Sequence, residues 1–380
     1  MSRHQSVKPV LPLPVRLNAD VRSKGRGIGI AMIDSDFVRH PDLETPASRI
    51  RRYVDLIDGT EHRHAPQPPA NQMLARHWHG TMTACTVAGN GSLSQGMFTS
   101  LAPESHVILL RTMNDHGRVA TSTIVDALHY VRDHANALQI RVVNISVYAD
   151  EIDHTLQHPV NQAVDELVER GICVVSAMGN NPWAPIRPPA ASPRGIAVGG
   201  LNDRNSLERE ADTMYDSTFG VTTLGVQKPD LIAPAIFLPA PILVGTSQQR
   251  EAAALCAMDA LTDDMLIEVA PRLMPHTKIP VATWTSRDAS ALRSTVDARI
   301  QEEQLCSPFY KMVDGTSFAA PIVASVIAQM LEVDPTLTPE EVKTVLMSSA
   351  QPLDNVDPLV QGAGVLHQRA AMRAVAAVTP

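Results

Sequence analysis

The stretch GIGIAMIDSD, residues 27–36, decides the reading of the fold. It is a short aliphatic run with no polar side chain until Asp34, followed by a polar turn and by HPDL at 40–43. A strand that is apolar at every position has both faces covered, as in a parallel sheet between layers of helices. Working outward, runs of the same kind recur as HVILLRTM (106–113), IRVVNISV (140–147), ICVVSAM (172–178) and GIAVGG (195–200). Between them the spacing predicts helices near 121–137 and 159–170, the second stopping at Gly171. The alternation predicts an α/β fold of three layers around a parallel sheet. Asp34 falls at the carboxyl end of its strand, where such sheets build their sites.

Two segments depart from this rhythm. Residues 1–24, punctuated by Pro9, Pro12 and Pro14, predict an extended N-terminal arm. Residues 239–312 hold the helix-prone stretches QQREAAALCAMDAL, DDMLIEVAPRL and SRDASALRSTVDARIQEEQL, and predict a mainly helical insertion with no buried strand. Residues 25–238 and 313–380 then make up one large α/β domain.

Composition narrows the function. With 44% hydrophobic and 19% charged residues over 380 positions, the chain is not a disordered one. Lys+Arg 32 against Asp+Glu 40 gives a net charge of −8 and no basic run, which leaves no electrostatic footprint for nucleic acid. No apolar run is expected to span a bilayer, and no secretory signal pattern opens the sequence. The four cysteines (Cys85, Cys173, Cys256, Cys306) are far apart, as reduced thiols of a cytoplasmic protein would be.

Ser317 lies in DGTSFAAPIVASVIAQMLEVDP, residues 314–335. Gly315 permits a sharp turn, and Phe318, Ile322, Val326 and Met330 follow at helical spacing, with Pro321 expected in the first turn. A serine at a helix N-terminus offers an outward N–H in the positive end of the helix dipole, which would stabilise an oxyanion. A serine nucleophile needs a base, and the base needs an orienting carboxylate. His79, opening the small-residue helix HGTMTACTVAGNG, and Asp34 supply those residue types. Singly, each has a plain structural reading: Ser317 as an N-cap, His79 as a helix-start histidine, Asp34 as a loop cap.

Together, in the order Asp, His, Ser, the three strings resemble the subtilisin-like serine peptidases, the subtilase family. Weaker matches are SLAPESHVILLRTM, VVNISV, VVSAMGN, FGVTTLGVQKPDLIAPA and GAGVLHQRAA. The resemblance implies a serine endopeptidase acting through an acyl-enzyme on protein or peptide substrates. Asp34 would orient His79, His79 would deprotonate Ser317, and Asn180 would share the oxyanion with the Ser317 N–H. Ser146, Val147 and Tyr148, with Ala177, Met178 and Gly179, would wall the first specificity pocket. No cofactor is required, no metal site is expected, and the family leaves room for one structural calcium. The alternatives are a catalytically silent relative that binds peptides, or a peptide ligase or macrocyclase using the same nucleophile.

Four positions depart from the family pattern. Asp36 stands where a glycine is usual, and a second carboxylate there would raise the pKa of one of the pair or favour a cation. Cys85 replaces a glycine, which implies tight helix packing. Tyr148 and Ala149 replace glycines beside the substrate strand, so Tyr148 could reshape a subsite or block it. Ser247, in a second GTS at 245–247, lacks the helix that follows Ser317. The HRH and HWH pairs (His62, His64, His77, His79) lack the further ligands of a zinc site. The short arm resembles that of intracellular subtilisins, and VLPLPV (10–15) is expected either as an inhibitory strand in or near the groove or as part of a disordered tail. The insertion, with apolar Leu255, Met258, Leu261, Met265 and Leu266, is expected to form a lid, to dock a partner, to self-associate or to pack on the body.

Overall fold

Strand β1 (Gly29–Asp34) is paired in parallel on both sides, with β4 (His106–Arg111) and β5 (Ile140–Ile145). The computed structural model describes residues 7, 9–150, 157–285 and 287–378, and these three strands form the middle of its nine-stranded sheet. Beyond β4 lie β2 (Ile50–Asp55) and antiparallel β3 (Thr60–His62). Beyond β5 lie β6 (Cys173–Ala177), β7 (Ile196–Asn202) and β11 (Leu231–Pro234), all parallel, with β8 (Thr213–Met214) antiparallel on β7. A separate pair, β9 (Gly220–Val221) and β10 (Gln227–Lys228), precedes β11. The chain builds outward from β1 first to one side and then to the other. The direction reverses at β1, where an open sheet leaves a crevice at its carboxyl ends.

Helices α4 (Thr121–Leu138) and α5 (Pro159–Glu169) cover one face. Ile124, Leu128, Val160 and Val164 pack there against Ala31, Ile33, Ile108, Leu110, Val143 and Ile145, alternate residues of the central strands. The other face is covered by α3 (Ala75–Ala88) and α10 (Thr316–Val333). Every residue of α10 from Phe318 to Leu331 is buried, and each Phe, Ile, Val, Met or Leu side chain there contributes roughly 1.5–3 kcal/mol. Contrary to the sequence expectation, α10 is long and apolar enough to cross a bilayer; here 83% of it is buried in the protein. The short α2 (Pro41–Glu44) and α12 (Pro358–Gln361), with α11 (Pro339–Ser349) and α13 (Gln368–Val378), complete this unit.

Among its described residues the arm is not extended throughout. Residues Leu13–Arg16 form helix α1, with Leu13 and Leu17 buried. The Arg16 guanidinium is fully buried against Asp203 and donates to Ile236 O (2.5 Å), and Leu11 N donates to Asn205 Oδ1 (2.9 Å). This segment therefore belongs to the edge of the sheet beyond β7, and the cavity that contains His79 is lined by other residues.

Contacts divide the chain into two units, one of which comprises Phe237–Val313 with Pro68–Met73 and the described residues up to Val10. In it, α6 (Ser247–Asp259), α7 (Asp263–Leu273), α8 (Val281–Thr285) and α9 (Ala289–Glu302) bury a core of their own, with Leu255, Met258, Leu266, Val296 and Ile300 inside and Met265 exposed. The unit also holds a three-stranded antiparallel sheet, β12 (Leu238–Pro241), β14 (Tyr310–Val313) and β13 (Leu305–Ser307), which the composition does not announce. The two prolines of β12 fit because it is an edge strand, paired on one side only.

Candidate active site

Asp34, at the carboxyl end of β1, is fully buried. A buried carboxylate is costly unless its oxygens are satisfied. Here Oδ1 accepts from Ser35 N (2.6 Å) and lies 2.7 Å from His79 Nδ1, while Oδ2 accepts from Thr83 Oγ1 (2.8 Å). Burial raises the pKa, but the His79 charge and these hydrogen bonds outweigh it and hold Asp34 below the usual carboxylate range. An ionised Asp34 can only accept, so His79 Nδ1 carries the proton and the ring is fixed in orientation. Burial opposes the imidazolium of His79, yet the Asp34 charge and hydrogen bond prevail and raise its pKa. Helix α3 begins at Ala75, earlier than the sequence suggests, because His77 caps it: its Nδ1 accepts from Leu74 N (2.9 Å).

Ser317 is the second residue of α10, a helix that starts directly after Gly315, whose φ of +135° suits glycine. Pro321 lies inside this helix, not in its first turn, and so cannot donate to the carbonyl four residues back. That orphaned carbonyl is Ser317 O, and Ser146 Oγ supplies the missing donor at 3.0 Å. Ser146 Oγ itself accepts from Asn144 Nδ2 (3.0 Å). In return, Ser317 Oγ donates to Ser146 O (3.4 Å). The next residue, Phe318, has its ring 6.0 Å from that of His79.

Asn180 faces the same turn. Its Oδ1 accepts from both Thr316 N (2.9 Å) and Thr316 Oγ1 (3.0 Å), while Gly179 N donates to Thr316 Oγ1 (3.0 Å). With Oδ1 held by two donors, the amide orientation is set and Nδ2 is the end left to meet another acceptor. The structure therefore brings Asn180 to the N-terminus of α10 and Asp34 to His79, and links Ser317 to Ser146.

Ser146, Val147 and Tyr148 line a cavity of about 380 Å³ together with His79, Arg76, Met113, Val119 and Asp150. Tyr148 does not plug it: the side chain is 47% exposed, with the Arg187 guanidinium 4.9 Å over its ring. Ala177 ends β6 and Gly179 has φ +100°. Met178 points elsewhere, into a small core with Ala190 and Ala197. Ser247 is the first residue of α6, with Thr246 capping the helix, and plays no part in this arrangement. Thr83, Thr316 and the exchange between Ser146 and Ser317 are absent from the sequence reading.

The expectation for Asp36 is overturned. Burial raises its pKa, but His77, Phe37 N and Tyr53 more than offset this and lower it. Arg76 and Arg111, at 3.3 and 3.4 Å, occupy the place a cation would take. Asp42, an oxygen ligand suited to calcium, has Oδ1 accepting from Ser92 Oγ (3.0 Å) and Leu93 N (3.3 Å). The Arg49 guanidinium donates to the carbonyls of Asp42, Ala88 and Pro103 nearby. Protein hydrogens thus use these oxygens, and the residues here do not fit a calcium ion. His40, Asp42 and buried Cys85 also lie together, but His40 Nδ1 accepts from Asp42 N (3.2 Å) and apolar burial pushes the Cys85 thiol well up.

The Subtilase family profile matches residues 25–367. Among curated proteins, Serine protease AprX of Bacillus subtilis (strain 168) is 26% identical over 352 residues, covering 90% of this chain and 65% of that protein. Subtilisin BL of Lederbergia lenta is 27% identical over 203 residues, covering 53% of this chain and 65% of that protein. The matched regions thus span less than two thirds of the length of these relatives. Among solved structures, a Pseudoalteromonas arctica protease is similar with a TM-score of 0.62 at 20% identity, covering 96% of this chain and 94% of the other. Fervidolysin from Fervidobacterium pennivorans follows at 0.60 and 18%, covering 92% of this chain and 43% of its own. With the profile running over most of its length, the chain belongs to the subtilase family.

Proposed function

We propose that this protein is a serine endopeptidase that hydrolyses peptide bonds through an acyl-enzyme on Ser317. The observation that carries the reading is the 2.7 Å contact between buried Asp34 and His79 Nδ1, beside a cavity whose lining residue Ser146 is hydrogen-bonded to Ser317. The Asp34 carboxylate fixes the tautomer that leaves Nε2 free to accept a proton. In the first step Nε2 takes the Ser317 hydroxyl proton as Oγ bonds to the scissile carbonyl carbon. The carbonyl π electrons move to oxygen, and Asn180 Nδ2 with the Ser317 N–H stabilises the anion. His79 then returns the proton to the leaving amine, and water repeats the sequence to release the acid.

Ser317 Oγ donates to Ser146 O. That bond favours the second reading, a silent relative that uses the groove only to hold peptides. For the peptidase reading the hydroxyl must leave Ser146 O for the imidazole, and such catalytic contacts often tighten only with substrate bound.

A fluorophosphonate probe separates the two. The active protein is labelled at Ser317, and labelling is lost in His79→Ala. A folded protein that takes up no label but still binds peptides is the receptor.

A further inference from the structure

Three successive residues, Asp34, Ser35 and Asp36, each fasten to α3. Asp34 holds His79 and Thr83, and Ser35 Oγ donates to Arg76 O (2.6 Å). Asp36 Oδ2 receives His77 Nε2 (3.2 Å) and Arg76 Nε (3.3 Å). The backbones are seated equally closely. A Cβ on Gly80 would stand 2.3 Å from Asp36 O, and Val38 N donates to Thr81 Oγ1 (3.0 Å).

Asp36 is the hub of this contact, with its side chain 3% exposed. Oδ1 accepts from Phe37 N (2.7 Å) and from Tyr53 OH of β2 (2.8 Å). Oδ2 also faces Arg111 Nε of β4 (3.4 Å), whose guanidinium continues to Asp55 (2.7 Å) and Asp115 (2.8 Å). Arg76 reaches the same Asp115 (3.0 Å). Because His77 Nδ1 accepts from Leu74 N, its Nε2 bears the proton that points at Asp36. The first turn of α3, which delivers His79, is thus suspended from one carboxylate shared with two strands.

We propose that Asp36 is a positioning residue for His79, locking the first turn of α3 through His77 and Arg76 so that the ring stays aligned with Asp34. A glycine at this position would provide none of these contacts. If Asp36 were only a counter-ion for two arginines, its loss would lower stability and leave His79 in place. The effect on turnover rests on the serine peptidase reading; the effect on the ring does not.

The test therefore uses two readouts on full-length wild type and Asp36→Asn. One is the downfield proton signal of His79 Nδ1–H with the histidine titration by NMR, assigned by its loss in His79→Ala. The other is the pH profile of fluorophosphonate labelling at Ser317. Asp36→Asn is expected to weaken or broaden the Nδ1–H signal and to slow labelling at the pH plateau by about 10–30-fold. It also removes one negative charge beside Arg76 and Arg111, with Asp34, His77, Asp55 and Asp115 remaining. The His79 midpoint and the acid limb should therefore move down by roughly half a pH unit.

A folded Asp36→Asn protein with an unchanged Nδ1–H signal and plateau rate overturns the proposal. So does a shifted acid limb with no loss at the plateau, which would be a field effect alone. If wild type is never labelled, the peptidase reading fails and the NMR signal alone decides on Asp36. Should Asp36→Asn not fold, Arg76→Gln carries the same test. Its loss and that of Asp36→Asn should be non-additive in the double variant if they share one path.

Discussion

Thr316 holds the side-chain oxygen of Asn180 with two donors, its backbone N–H at 2.9 Å and its hydroxyl at 3.0 Å. The residue before Ser317 thus aims the amide that would receive the oxyanion. Asn180→Ala is expected to lower kcat by about 10²–10³ with little change in KM. Thr316→Val keeps the N–H and removes the hydroxyl, so a loss of about 10-fold is expected in the same steady-state assay.

The pH dependence follows from the sign of two shifts. His79 must be neutral to act as a base, and its pKa is raised above the ordinary 6.5. Activity should therefore fall as pH drops through a midpoint above 6.5. A raised folded-state pKa also means that protonated His79 adds stability below about pH 6.5, lost as pH rises through the folded midpoint. The lowered pKa of Asp34 works the other way, adding stability above about pH 4 that disappears as pH falls through its folded value. Chemical denaturation between pH 3 and 9 measures both, and in Asp34→Asn both contributions should vanish, with kcat down on the order of 10⁴.

Gly80 is where α3 touches the 36–37 backbone. A methyl group there would meet Asp36 O at 2.3 Å and the Phe37 ring at 3.1 Å. Gly80→Ala is expected to destabilise the fold by about 1–3 kcal/mol through overpacking. Displacement of His79 should cut labelling of the protein that remains folded, read by calorimetry and the fluorophosphonate probe together.

Arg49 should matter for stability and not for catalysis. Its guanidinium serves three main-chain carbonyls, those of Asp42 in α2, Ala88 at the end of α3 and Pro103 before β4. Arg49→Met keeps the aliphatic stem and takes the donor from Ala88 O and Pro103 O, while Asp42 O keeps Asn90 N (3.0 Å), at about 1–3 kcal/mol for each oxygen that water does not reach. Urea unfolding should show a loss of several kcal/mol with an unchanged labelling rate per folded molecule.

Tyr148 borders the cavity beside His79, and Arg187 rests on its ring. Tyr148→Gly should widen that cavity and raise kcat/KM for peptides with bulky side chains on the acyl side, by about 10-fold relative to small ones. A library of fluorogenic peptides reads the change; an unaltered preference would place Tyr148 outside the substrate's path.

The sheet and the motif strings were legible because fully apolar strands and small-residue helices carry their own periodicity. The partners of those motifs were not. Nothing in a linear string tells that Thr316 faces Asn180, 136 positions away, or that Ser146 serves a carbonyl orphaned by Pro321. The prolines that marked the arm as extended are compatible with α1, since Pro12 and Pro14 stand at and beside its start, where no backbone donor is needed. Likewise Asp36 reads as a repelling neighbour of Asp34 until Arg76, Arg111 and His77, remote or separately placed in sequence, surround it.

The pairing of β12 with β14 sets Leu238 opposite Val313, so the helical insertion begins and ends at one place. On the other side of the junction, Gly315 N donates to Ala235 O (2.7 Å), which closes the body in the same way. Bringing the ends of a loop this long together would cost roughly 4 kcal/mol of chain entropy if it were slack. A segment that condenses around its own core absorbs that loss internally. The serine-bearing helix can then join the sheet as though only a tight turn preceded it, and evolution could enlarge, trim or exchange the excursion without disturbing the folding route of the rest.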